Sequence, residues 1–349
     1  MNLEEALKQI RPIDELAKKQ CRLRWDSIAK PLHSLGKLED GITQIAGITG
    51  THEVNLDKKA LVIMCADNGV VAEGVTQAGS EVTALVAENF LKGTSCVCIM
   101  AKQAGVDVYP IDIGMNRDTK VLNKKTAFGT KNILYEPAMS REQAVQSIET
   151  GIRTVSDLKN KGYNIIATGE MGIGNTTTSS AMASVLLDLP AEQVTGKGAG
   201  LSETGLNHKI DVIKKAILVN KPDKKDPIDV LSKVGGFDIG GLVGIYIGGA
   251  AHRLPIVMDG FISQVAALIA IRIEPKVRDF ILPSHASGEF SSRRLLDTMG
   301  FKPYLTCNMH LGEGSGAVAL FPLLDMGLAV YRQMCTFEQI KIEPYKPME

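Results

Sequence analysis

The stretch Ala167-Thr-Gly-Glu-Met-Gly-Ile-Gly-Asn-Thr-Thr-Thr178 follows a short apolar run, residues 163–167, and opens a segment of small and apolar residues ending at Leu187. A β-branched apolar run of that length predicts a buried parallel strand, and residues 176–187 predict a helix apolar on one side. Between the two lie Gly169, Gly172 and Gly174, the carboxylate Glu170 and a run of hydroxyls. A glycine-rich turn lets backbone N–H groups approach a ligand closely, and the N-terminus of a helix favours negative charge. The turn therefore predicts a phosphate site, with Glu170 in its mouth. Gly169 and Gly174 have the spacing of a nucleoside-triphosphate loop, but Asn175 stands where that loop needs a lysine. A phosphate monoester is the better match.

The same alternation recurs on both sides. Upstream, residues 59–66 read as a strand ending at Asp67-Asn-Gly69, residues 81–91 and 95–104 as helices, and residues 106–113 as a second strand containing Asp112. Residues 116–138 are polar and predict an excursion loop or a hairpin. Ser140 and Gln143 then form a capping box for a long helix to Lys161. Downstream, Thr195-Gly-Lys-Gly-Ala-Gly-Leu201 is a second glycine loop, where Lys197, beside Gly198, is the side chain best suited to neutralise phosphate. A helix over 202–220, a surface connection over 221–227, and a strongly apolar helix opened by Gly235-Gly-Phe-Asp-Ile-Gly-Gly241 follow. Residues 255–258 read as a strand ending at Asp259-Gly-Phe261, and residues 280–282 as another. Met309-His-Leu-Gly-Glu-Gly-Ser-Gly316 precedes the last apolar helix, to Met334. Helical stripes alone fill the region before residue 59 and predict a small helical subdomain, while the final residues run along the surface. Strands alternating with helices predict an α/β fold with a doubly wound, mostly parallel sheet and right-handed crossovers.

Composition bounds what such a fold does. A chain of 349 residues, 44% hydrophobic and with 34 glycines, has material for a large core with many tight strand-to-helix turns. Zero formal net charge, with no basic tract, argues against nucleic acid as a partner. The six cysteines form no CxxC pair, and reduced thiols in a cytoplasm are expected, with Cys65, Cys96 and Cys98 placed in strand or helix cores. No export signal opens the chain, and no run of about 20 apolar residues predicts a membrane span. His285 and His310 lie in loops without metal-ligand spacing, so neither a metal nor a cofactor is expected.

The acids sharpen the picture. Asp67, Asp112, Glu170 and Asp259 each fall at or just past the end of an expected strand, and in an open parallel sheet those ends share one edge. Several carboxylates around a phosphate pocket suit a reaction that develops positive charge, such as glycosyl transfer through an oxocarbenium-like state. Glu313, held between glycines, can approach a planar heterocycle and take a proton from an attacking ring nitrogen. Plainer readings exist for each: Glu170 as a complement to the helix dipole, Glu313 as a solvated loop residue, Asp67 and Asp259 as turn or cap residues.

Six segments, in order, carry a resemblance. They are Asp67-Asn-Gly-Val-Val-Ala-Glu-Gly-Val75, Gly169-Glu-Met-Gly-Ile-Gly-Asn-Thr-Thr177, Gly196-Lys-Gly-Ala-Gly-Leu201, Gly235-Gly-Phe-Asp-Ile-Gly240, Met258-Asp-Gly-Phe261 and Leu311-Gly-Glu-Gly-Ser-Gly-Ala317. Together they closely resemble the nicotinate-nucleotide–dimethylbenzimidazole phosphoribosyltransferase family of cobalamin biosynthesis. The resemblance implies transfer of 5-phosphoribose from nicotinate mononucleotide to 5,6-dimethylbenzimidazole, giving α-ribazole 5′-phosphate and nicotinate with inversion at the anomeric carbon. It implies a homodimer, a Rossmann-like large domain over 51–334, and a small helical domain made from residues 1–50 and about 335–349. Glu313 is implied as the base at the benzimidazole nitrogen and Glu170 as the carboxylate near the ribose. Gly172, Gly174, Asn175, Thr176, Lys197 and Gly198 are implied around the phosphate, and Ser80, Asp259 and Leu311 elsewhere at the substrates. One segment departs: Gln77-Ala-Gly-Ser80 replaces a proline and a glutamine common in the family beside the base pocket. Other benzimidazoles, purines or phenols therefore stay open as acceptors. A catalytically idle nucleotide-binding protein on the same fold is a second alternative. A dinucleotide-dependent oxidoreductase lacks its glycine fingerprint after the first strand.

Overall fold

In the computed structural model, which describes residues 1–345, helices α1 (Leu3–Gln9), α2 (Glu15–Ser27) and α3 (Lys37–Thr49) come first. Asn2 and Glu5 form a capping box on α1, and the Asp14 carboxylate accepts the Ala17 N–H to cap α2. The sheet starts with β1 (Lys59–Ala66), whose residues are all buried, as a central parallel strand covered on both faces must be. Helices α4 (Glu81–Lys92) and α5 (Cys96–Gln103) lead to β2 (Val106–Gly114) and the two-residue β3 (Leu122–Asn123). Then come α6 (Arg141–Asn160), β4 (Ile165–Met171), α7 (Asn175–Leu187), α8 (Glu203–Asn220), α9 (Pro227–Val234) and α10 (Phe237–His252). The chain closes with β5 (Ile256–Met258), α11 (Phe261–Ile273), β6 (Ile281–Pro283), α12 (Ser292–Met299) and α13 (Ser315–Gln333).

The strands lie in the order β3-β2-β1-β4-β5-β6, and every pairing is parallel. The order reverses between β1 and β4. In such a sheet the crevice beyond the carboxyl ends at that reversal receives the ligand. The α/β class and the doubly wound parallel sheet are as the alternation predicts.

Three elements differ from the expectation. The segment after β2 is neither a plain loop nor a hairpin, because β3 pairs with β2 in parallel through Ile111 and Asp112. Strand β4 runs past Ala167 to Met171, so Glu170 lies inside the strand, in register with Met64 of β1, rather than in the turn beyond it. Cys96 is exposed while Cys65 and Cys98 are buried, and all six cysteines are free.

Helix α10 is buried from Phe237 to Ala250 and packs between α6 and α11. The two chain ends meet: Phe337 N–H donates to Ser27 O at 3.0 Å, and Ala29 N–H donates to Cys335 O at 3.0 Å. Trp25 packs tilted against Tyr331 of α13, with ring centroids 5.0 Å apart. The longest apolar helical stretch, Glu81–Gln103, is α4 and α5 interrupted at Gly93, whose φ of 71° ends α4.

Candidate active site

The end of β4 and the start of α7 form the floor of the site. A side chain at Gly169 is excluded because its Cβ would lie 2.6 Å from the Glu313 carbonyl oxygen. That close approach lays the Glu313 loop directly on the strand. Glu170, the next residue, is 7% exposed, accepts the Glu313 N–H at 3.4 Å through Oε1, and accepts from Asn175 Nδ2 through Oε2. Burial pushes its carboxyl up to about 8, with repulsion from Asp238 and Asp259 adding to the rise. The Asn175 amide and the Glu313 N–H pull it back.

The Glu313 loop is strained in the way functional loops are. Gly312, Glu313 and Gly314 have φ of 87°, 61° and 91°, and only the glycines adopt that region without cost. Asp259, 3% exposed at the end of β5, holds the loop by accepting Gly314 N–H at 3.1 Å and Ala317 N–H at 3.0 Å. The Glu313 carboxyl is pushed up by burial, with the Val97 N–H lowering it and Asp259 raising it again. Its Oε2 is buried and has no hydrogen-bond partner among the described residues. A carboxylate raised towards neutrality, with an unpaired oxygen, is suited to receiving a proton.

A second lysine stands nearer the first turn of α7 than Lys197. Lys197 is half-exposed and its ammonium pairs with Glu203 in the first turn of α8. Lys209, two turns into α8 and 1% exposed, donates to Thr176 Oγ1 at 2.8 Å and to Gly196 O at 3.4 Å. Burial lowers it to about 8, against an attraction from Glu289. A buried ammonium on the first turn of α7 is a stronger anion partner than a solvated lysine.

These elements enclose a cleft of about 770 Å³. Glu170, Gly172, Gly174, Asn175, Thr176, Gly198, Asp259, Leu311 and Glu313 stand on its wall together; Ser80 and Lys197 do not, and Lys209 reaches it only through Thr176. Val86, Cys96, Met100, Met171 and Leu311 give it an apolar flank. Of the four strand-end acids, Asp67 accepts the Asn116 N–H at 2.7 Å, and Asp112 is paired with Lys125 and accepts the Met115 N–H at 2.9 Å. Those two hold backbone turns, as the plainer reading has it for Asp67; for Asp259 that reading and a place on the cleft wall both hold. Lys209 escaped the sequence reading, although it sits in the buried stripe Lys209, Ile213, Ala216 and Asn220 of α8, where a lysine is out of place unless it has a partner. Asp238, 0% exposed, escaped as well.

Comparison with known proteins bears on what this arrangement does. A family model described as phosphoribosyltransferase matches residues 10–342. The nicotinate-nucleotide–dimethylbenzimidazole phosphoribosyltransferase of Acetivibrio thermocellus is 50% identical over 99% of each chain. The protein of the same name from Clostridium acetobutylicum is 47% identical over 100% of each. The crystal structure of CobT from Thermus thermophilus superposes with a TM-score of 0.89 at 35% identity, covering 94% of this chain and 99% of that one.

Proposed function

The chain belongs to the nicotinate-nucleotide–dimethylbenzimidazole phosphoribosyltransferase family, and from that premise we propose how its cleft carries out the transfer and with which residues. The enzyme moves a 5-phosphoribosyl group from nicotinate mononucleotide to a benzimidazole. The single observation behind the assignment of roles is that Glu170, Glu313 and Thr176, whose hydroxyl accepts from the buried Lys209, line one cleft at the sheet's switch point.

The nucleotide's phosphate lies against the first turn of α7 and the Gly198 loop, with Thr176 and Lys209 as its partners. The acceptor lies along the apolar flank. Its unprotonated ring nitrogen attacks the anomeric carbon from the face opposite nicotinate, the C–N bond to nicotinate breaks, and nicotinate leaves with the bonding pair. The other ring nitrogen loses its proton to Glu313, so the product is a neutral azole. Glu170 faces the charge that develops on the ribose, and that charge favours its ionised form in the transition state. Asp259 holds the Glu313 loop. Ser80 and Lys197 have no role in this reading. A homodimer, a cytoplasmic location, and a small helical domain of residues 1–50 and about 335–349 beside a large one of 51–334 belong to the same proposal. The meeting of the chain ends supports the last of these.

The test is donor specificity. With dimethylbenzimidazole as acceptor, nicotinate mononucleotide is expected to exceed nicotinate riboside in kcat/KM by at least about a hundredfold, as loss of a charge-assisted anchor requires. Equal values would remove the phosphate site from the account.

A further inference from the structure

The segment Gly235-Gly-Phe-Asp-Ile-Gly240 is left without a task by the roles above, yet its carboxylate is fully buried directly behind the cleft. Asp238 stands in the first turn of α10, where burial pushes its carboxyl up to about 6 and the Asn175 amide, the Ile239 N–H and its own N–H pull it back. Its Oδ2 accepts from Asn175 Nδ2 at 3.0 Å, and the same nitrogen donates to Glu170 Oε2. One amide thus bridges two carboxylates, each of its hydrogens taken by one of them. Room for the bridge is left by Gly172, whose Cβ would lie 2.8 Å from Asp238 Oδ2.

We propose that Asp238 is a positioning residue: it pins the Asn175 amide with its NH₂ group turned towards Glu170, and so presents Glu170 to the ribose as an ionisable acceptor. This rests on the role given to Glu170 above. An amide has two faces of opposite chemistry. With a carboxylate at 238, only the NH₂ face fits between the two acids, and that donor favours ionised Glu170 by more than the direct repulsion from Asp238 opposes it. Were the amide reversed, its carbonyl oxygen would face Glu170 and accept only from the protonated acid. The groups around Glu170 that bear on its charge are Asn175 of α7, Asp238 of α10, Asp259 beyond β5, the Glu313 N–H, and Cys65 of β1. Asp67 faces Asp238, and His285 faces Asp259.

The experiment is the pH profile of kcat/KM for the intact enzyme with nicotinate mononucleotide and dimethylbenzimidazole. In Asp238→Asn the remaining oxygen stays with the backbone N–H groups of residues 238 and 239, the new NH₂ faces Asn175, the Asn175 carbonyl turns towards it, and the acid limb moves up by roughly half a pH unit or more. Asn175→Ala, which lacks the donor outright, moves the limb up as well, and the double variant goes no higher than Asn175→Ala alone. A limb that moves down in Asp238→Asn would mean that Asp238 acts on Glu170 only as a distant charge, and an unmoved limb that it does not act on it at all. Either overturns the proposal. If Asp238→Asn does not fold, Asn175→Ala decides, and an unmoved limb there overturns it equally. Glu170→Gln separates this from the underlying reading: the limb is expected to vanish. A limb that survives belongs to another group, and overturns the role of Glu170 together with that of Asp238.

Discussion

At the scale of single residues, Glu313 combines two properties that pull apart under substitution. Its φ of 61° is costly for any side chain, while its carboxylate is the proposed base. Glu313→Gly relieves the first and removes the second. Activity towards benzimidazoles is expected to fall at least about tenfold, with the melting temperature unchanged or higher. A glycine variant that kept its activity would make Glu313 a loop residue. Glu170 yields a prediction about stability. Its folded carboxyl titrates near 8 against an ordinary value of 4.5, so between those pH values the folded protein holds a proton that the unfolded chain releases. Stability is therefore unaffected by this group in acid and falls as pH rises towards 8. Relative to wild type, Glu170→Gln should gain in melting temperature from about pH 5 to about pH 8, with the difference smallest in acid. A difference that shrinks with rising pH would contradict the raised pKa. Glu170 and Glu313 were legible in the sequence because glycines flank them, and glycine beside a carboxylate has few bland explanations. Lys209 and Asp238 were not. Their partners lie 33 and 63 residues away, and only the fold brings them to Thr176 and Asn175.

At the scale of elements, the long apolar runs and capping boxes declared themselves, and the short pieces did not. The Ser140 and Gln143 box starts α6 where expected. By contrast β3, α9 and α12, with two, eight and eight residues, went unread between polar segments. The glycines of α10 have a structural task that its apolar sequence conceals. A Cβ on Gly244 would come within 2.8 Å of the Ile148 carbonyl carbon and 2.9 Å of Gly151 Cα, so α6 and α10 touch backbone to backbone. Gly244→Ala must push the helices apart, and since α10 carries Asp238 the shift reaches the floor of the cleft. A loss of about 1–3 kcal/mol in denaturant unfolding is expected. A loss under about 0.5 kcal/mol would show that the helices are free to separate there.

At the scale of the molecule, topology does most of the chemistry's organising. Because every strand pair is parallel and the order reverses between β1 and β4, Glu170 and the Asp259-held Glu313 loop emerge at one edge from segments far apart in sequence. That convergence was legible in advance, since alternating strands and helices leave little choice of sheet. The division of acids between cleft and turns was not, because Asp67 and Asp112 occupy the same kind of strand end as Asp259. The central claim is that one cleft exchanges nicotinate for a benzimidazole on the phosphoribosyl group. The most direct measurement is to incubate the purified enzyme with nicotinate mononucleotide and 5,6-dimethylbenzimidazole and follow both products by mass and by the anomeric proton resonance. The account predicts nicotinate and ribazole phosphate in equal amounts, with the new glycosidic bond in the α configuration. Nicotinate released without a ribazole product, or a β-linked product, would contradict it.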